Sequence, residues 1–287
     1  MKSDIPLFDL TPAIGPGSRS EEDTLSYMPM PKEMHTFELP RLPESDEIAD
    51  APEVLALLGQ VQDALDEYRP GMPSRMLPLD PVGERGCALL YQVLGEGEVA
   101  LQIGGDIRVR AQETVLAGLW WIQQVGADGH VARQWLEVAD LPELVRRKAF
   151  ADSAVPEVIE SDLPSDIVNA APVLVELFDV ARAHRTTPLE PAHVINLSLL
   201  PFTPQDHAFL TEQLGRGIVT ILSRGYGNCR IGSTAVPAVW RVQYFNSTDQ
   251  LILDTLEVTD VPQVACAARE DLEDSAERLR EMREVLA

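Results

Sequence analysis

Cys229 stands beside Arg230 in the run Gly225-Tyr226-Gly227-Asn228-Cys229-Arg230, and a neighbouring cation is one way a protein lowers a thiol pKa and makes a nucleophile of it. A buried, inert thiol is the competing expectation. Tyr226 lies between two glycines, so its ring stands free of neighbouring side chains and suits an interface anchor. No helix pattern follows Gly225-Tyr226-Gly227, which separates it from phosphate loops and dinucleotide fingerprints and leaves a tight turn or bulge between strands. The other candidates are weaker. Cys87 shares a helical face with Leu90, Tyr91 and Leu94 and reads as core. Cys266 has no ligand companions, and His35, His130, His184, His193 and His207 are scattered. No cluster has metal-ligand spacing, and Ser223 and Ser233 lack a nucleophile-elbow context, so no metal, cofactor or catalytic residue is assigned.

The elements around this motif repeat. Placing Trp240 on Trp120 aligns Leu214, Gly215, Gly217 and Val219 with Leu94, Gly95, Gly97 and Val99, and Leu256-Glu257-Val258 with Leu136-Glu137-Val138. Upstream the same offset puts Ala171-Pro172 on Ala51-Pro52, Leu199 on Leu79 and Pro201 on Pro81. A fixed offset held this long signals a duplicated folding unit. The copies differ at the motif: Gly105-Asp106-Ile107-Arg108-Val109-Arg110 stands where the second copy has Gly225 to Arg230. Only Gly225 and Arg230 have counterparts, in Gly105 and Arg110, and the motif's Gly225, Tyr226, Gly227, Asn228 and Arg230 are taken as partner-binding candidates.

Each copy opens with an amphipathic helix: Val54, Leu57, Leu58, Val61 and Leu65 in the first, Leu174, Leu177, Phe178 and Ala181 in the second. Short strands at Met76–Leu79 and Val194–Leu199 follow, then second helices ending at Gly95 and Gly215. In the second copy Thr203 is placed as N-cap with Pro204 at the first helical position. Alternating Val99/Leu101/Ile103 and Val219/Ile221 predict half-buried strands. Strand pairs turn through Gly126 to Gly129 and Asn246 to Asp249. The fold class is α+β: a tandem duplicated unit, each with two helices and an antiparallel meander, plus a C-terminal amphipathic helix.

The predicted domains are an extended Pro-rich acidic arm (1–50), a first repeat (51–150), a linker (151–170), a second repeat (171–265) and a C-terminal helix (266–287) packing on the second repeat. In that helix Asp274 and Arg278, and Arg280 and Glu284, have ion-pair spacing. Trp120 and Trp240 recur and are assigned to the cores; Trp121, on the alternate face of its strand, is assigned to an exposed contact. Glu137 and Glu257 recur as a solvated strand face or a shared acidic contact.

The formal net charge is −23 over 287 residues. It disfavours nucleic acid and anionic membrane as partners and favours a basic peptide or protein surface, although solubility alone accounts for it. Three widely spaced cysteines argue against a disulfide framework, and no signal or membrane-spanning segment is apparent, so a cytoplasmic protein is expected.

LGEGEV at Leu94–Val99, GYGNCRI at Gly225–Ile231, VWRVQYFN at Val239–Asn246 and EDLEDSAERL at Glu270–Leu279, with IGPGS at Ile14–Ser18 and MPMP at Met28–Pro31, together resemble the HupH/HyaF/HoxQ family of hydrogenase expression/formation proteins. The resemblance spans essentially the whole chain. It implies a non-catalytic accessory protein for an uptake [NiFe] hydrogenase, binding the iron–sulfur small-subunit precursor before twin-arginine export. The implied partners are that precursor, its signal peptide and a thioredoxin-like co-chaperone. A redox or iron–sulfur role through Cys229 is the alternative.

Overall fold

The structure is a computed structural model, and it describes residues 43, 45–156, 164, 166–188, 190–225 and 227–286. Most of the proposed arm, much of the linker and Tyr226 lie outside the described residues. The chain divides into two compact units. The first holds the described residues up to Val145 together with those from Val264 on; the second holds those between Arg146 and Gln263.

The first unit begins with α1 (Ser45–Ala49) and α2 (Pro52–Glu67), then β1 (Arg75–Pro78), a 3₁₀ turn at Asp80–Val82 and α3 (Gly83–Leu94). β2 (Val99–Ile103), β3 (Arg108–Glu113), β4 (Leu119–Val125) and β5 (Val131–Val138) form the meander, and α4 (Glu143–Lys148) follows in the chain. The strands are ordered β1-β5-β4-β3-β2, every pair antiparallel. α1 corrects the boundary of the arm: Ile48 is fully buried in the core with Val54, Leu58 and Leu90.

The second unit repeats the order. It has α5 (Ala170–Thr186), β6 (His193–Asn196), a 3₁₀ turn at Leu197–Leu199 and α6 (Pro204–Leu214). β7 (Val219–Ser223), β8 (Asn228–Ser233), β9 (Val239–Phe245) and β10 (Leu251–Val258) complete its sheet, ordered β7-β8-β9-β10-β6. Its core gathers Leu174, Leu177 and Phe178 of α5 with Leu210 and Leu214 of α6. Val155 and Ile167, assigned to a linker, pack against that core.

Hydrogen bonds recur at the offset of the repeat. Gly97 N donates to Glu113 O at 2.7 Å, and Gly217 N to Ser233 O at 2.9 Å. Any side chain at either glycine would collide with the opposite strand, since a Cβ at Gly97 falls 2.1 Å from Thr114 O and one at Gly217 falls 2.7 Å from Thr234 O. One stretch breaks register. Leu77 pairs with Leu136 and Ile195 with Leu256, so β6 sits two residues out of the constant offset, and Leu197, not Leu199, takes the buried place of Leu79. Strand pairing fixes side-chain faces, whereas the loops on either side absorb the slip.

α7 (Arg269–Leu286) lies on the first unit, not the second. Leu272, Ala276, Leu279 and Leu286 join the core of α2 and α3. Gln62 Nε2 donates to Ala276 O at 3.0 Å, Arg280 pairs with Asp66 at 2.9 Å and Arg278 donates to Val115 O at 3.1 Å. These contacts stand in place of the pairings expected from helical spacing. An apolar helical stripe states that a face is buried and not against what; the facing surface is α2, whose Gln62 and Asp66 engage Ala276 and Arg280 of α7.

Candidate partner-binding site

The motif is the β7–β8 hairpin and the strand that follows it. Gly225 and Gly227 are exposed in the turn, and Gly227 adopts φ 108°, a conformation that side chains rarely take. Nothing lies within 4 Å of a Cβ built on it, so the glycine serves backbone conformation and not close packing. Asn228 opens β8 opposite Phe245 and is half-buried.

Alternation along β8 sends the next two residues to opposite faces. Cys229 is buried across from Ser223 and Tyr244. Burial pushes its thiol up to about 11, and the charge of Glu257 adds to the rise, against a hydrogen bond with Tyr244 that lowers it. Arg230 points to the helix-covered side, in register with Leu222 and Gln243. Burial lowers its guanidinium pKa, as do the nearby charges of Arg216 and Arg241. The adjacent arginine projects from the other face, so the influences on Cys229 are burial, Tyr244 and Glu257 and not a neighbouring cation.

Trp121 corrects an expectation. It is 2 % exposed, within the core beneath α2 and α3, its ring edge-on to Tyr91 at 6.1 Å and its Nε1 donating to Gln134 Oε1 at 3.4 Å. Trp120, on the opposite face, is equally buried and donates to Ala139 O at 3.0 Å. Alternation predicted one wet face, but both faces of β4 are covered. The same cause removes Glu137 from any solvated face: it is fully buried and accepts from Trp135 Nε1 at 3.2 Å and from Glu143 N at 2.8 Å. Glu257 is half-buried with its carboxyl pKa raised by burial, against a hydrogen bond from Thr255 that lowers it.

Cys87 is buried on α3 as the helical spacing indicated, its thiol pushed up to about 11 by burial with Asp80 and Glu84 adding to the rise. Sequence reasoning missed Asp206. This fully buried carboxylate accepts from Val168, Asn169 and Ala170 N at 2.9–3.0 Å and from Thr203 N at 3.0 Å, so it closes the capping box of α6 and caps α5 as well. Burial would raise its pKa, but the backbone and hydroxyl donors outweigh it and hold the carboxyl well below the usual carboxylate range. The signal was Thr203-Pro204-Gln205-Asp206, a capping box with Asp in the third helical place. Among the described residues no group of three or more His, Cys, Asp or Glu is placed to hold a metal ion, and no helix is long and apolar enough to cross a membrane.

The geometry defines an α+β protein in which the buried carboxylates Asp206, Glu137 and Glu113 are each held by backbone donors. Comparison with known proteins gives its lineage. The model of the HupH hydrogenase expression protein C-terminal conserved region matches twice, over residues 48–157 and 167–286, and the chain belongs to that family. It is 61 % identical to the hydrogenase expression/formation protein HupQ of Azotobacter chroococcum mcd 1 over 96 % of this chain and 97 % of that protein. It is 56 % identical to the hydrogenase expression/formation protein HoxQ of Azotobacter vinelandii over the full length of both. A solved structure of the hydrogenase expression protein HupH from Thiobacillus denitrificans ATCC 25259 matches at 30 % identity with a TM-score of 0.38, covering 41 % of this chain and 97 % of that one.

Proposed function

We propose that this protein is a non-catalytic accessory factor in hydrogenase maturation, a tandem duplication that binds the iron–sulfur small-subunit precursor in the cytoplasm before its twin-arginine export. The observation that carries the reading is the family match over both halves of the chain, with relatives named for hydrogenase expression and formation. The acidic balance of −23 complements a basic leader and would mainly raise the association rate. Within the chain, the contact centres on the β7–β8 turn, with Gly225, Tyr226, Gly227, Asn228 and the exposed part of Arg230; a thioredoxin-like co-chaperone joins the same complex. The alternative through Cys229 has less support, because a buried thiol with a raised pKa is almost wholly protonated at neutral pH.

The test is co-purification of the full chain with the host's small-subunit precursor, with and without its signal peptide, over a salt series. Salt-sensitive capture, weakened by Tyr226→Ala with Asn228→Ala at unchanged melting temperature, is expected. Absence of capture of either form overturns the proposal.

A further inference from the structure

The sheets of the two units end differently. Among the described residues β6 has β10 as its one strand neighbour, and β1 likewise has β5. An edge strand leaves alternate N–H and C=O groups unpaired, and proteins commonly guard such edges with proline and with charge. β1 carries both devices: Pro78 lies within it, Arg75 opens it, and Arg133 of the adjacent β5 lies over the Trp135 ring at 5.5 Å. β6 reads His-Val-Ile-Asn: it has no proline, and its one titratable side chain, His193, is engaged by Glu176 at 2.9 Å.

The surface beside β6 is apolar. Val194 is 52 % exposed, Leu199 80 % and Ile252 61 %. Asp254 N donates to Ser198 Oγ at 2.8 Å, which seats the turn bearing Leu199 beside the part of β10 next to Ile252. The charges nearest this strip are acidic. Glu257 pairs in register with Val194, Glu176 accepts His193 at 2.9 Å, and Asp249 lies in the turn that leads into β10.

We propose that the free edge of β6 is a docking strand for an extended, basic segment of a partner polypeptide, which adds to the sheet of the second unit as a further strand. Backbone pairing supplies the geometry, Val194, Leu199 and Ile252 receive alternate apolar side chains, and flanking Lys or Arg residues meet the acidic rim. A second copy of this chain fits less well, because both partners would carry −23. The inference is independent of the hydrogenase assignment, and its test uses no hydrogenase component.

The probe is a fluorescent synthetic peptide of roughly ten residues, alternating Val and Thr with two lysines at each end, followed by anisotropy against the full chain. Saturable binding is expected, lost by about tenfold or more in the Leu199→Lys, Ile252→Lys double variant. Both residues are exposed, and circular dichroism checks that the variant folds. N-methylation of the peptide at amides of one alternating set should abolish binding while the other set is tolerated, which side-chain adhesion alone would not produce. Absence of binding, or binding indifferent to both changes, overturns the proposal. Concentration-dependent dimerisation abolished by the same double variant would also overturn it, in favour of a second copy as the occupant.

Discussion

Tyr91, Trp121 and Gln134 in the first unit stand where Thr211, Arg241 and Asp254 stand in the second. In one the trio is an aromatic edge contact and an indole N–H to an amide oxygen at 3.4 Å. In the other Arg241 makes a two-pronged pair with Asp254 at 2.9 and 2.6 Å and donates to Thr211 Oγ1 at 3.2 Å. The backbone plan is the same, so the space under the second helix is filled by apolar area in one case and by a satisfied ionic network in the other. A large buried ring contributes through area, whereas an ion pair roughly offsets its own desolvation and mainly penalises its own disruption. The fold tolerates either filling, provided every polar group introduced finds its partner.

The outer faces of the first helices differ as well, and there the contrast decides where the chain ends. α2 presents Leu55, Gly59 and Gln62; α5 presents Val175, Asp179 and Arg182 at the same places, with Asp179 and Arg182 paired at 2.9 Å. Only the first surface accepts α7. Leu279→Ala, at a fully buried position of that contact, should therefore cost about 3 kcal/mol through lost transfer energy and a residual cavity. Hydrogen exchange should rise in α2 and α7 and stay unchanged in α5. Equal loosening of α5 would show that the helix supports both units.

Asp206 has no counterpart in the first unit, where Gly86 stands at the equivalent place. Replacing it with Ala strands donors at the start of two helices, so unfolding of the second unit should become easier by about 2–3 kcal/mol. Because the carboxyl pKa is depressed in the folded state, its contribution is complete above about pH 4, the unfolded value, and is lost as pH falls below it. Acid titration of exchange in α5 and α6, wild type against Asp206→Asn, checks this; identical acid sensitivity would remove Asp206 as the cause.

The sequence displayed the repeat because glycines at crowded or left-handed positions, tryptophans and a capping Thr-Pro each impose a backbone requirement that few residues meet. Gly97, Gly217, Trp120, Trp240 and Thr203 all fall where their types demand. It did not display that both faces of β4 are covered, since alternation reports only that side chains point both ways. Trp121 and Glu137 were misassigned for that reason. The attachment of α7 was legible in part: the polar Asp179 and Arg182 against Gly59 and Gln62 distinguish the two helix faces. The slip of β6 was hidden because Leu199 and Pro201 imitate Leu79 and Pro81 in type while pairing in β10 places Leu197 in the core.

Glu113 and Ser233 give the finest contrast. Both end the third strand of their repeat and both face a tryptophan across the sheet. Ser233 exchanges hydrogen bonds with the Val219 backbone, at 3.1 Å to its N–H and 3.4 Å to its carbonyl. Glu113 is buried and accepts from Gly118 N at 2.9 Å. Burial raises its carboxyl to about 7, with Glu98 and Asp271 adding to the rise against the Gly118 hydrogen bond. A folded pKa above the unfolded one means that the folded state binds more protons between about pH 4.3 and 7, so stability falls as pH rises through that window. Glu113→Gln keeps an acceptor for Gly118 and removes the ionisation. It should flatten this slope and raise the stability of the first unit above pH 7 by about 1 kcal/mol, while Ser233→Ala leaves the pH profile unchanged. Thermal melts from pH 5 to 8, with exchange in β3 and β4 as the local readout, test it, and a slope that survives Glu113→Gln would place the titrating group elsewhere.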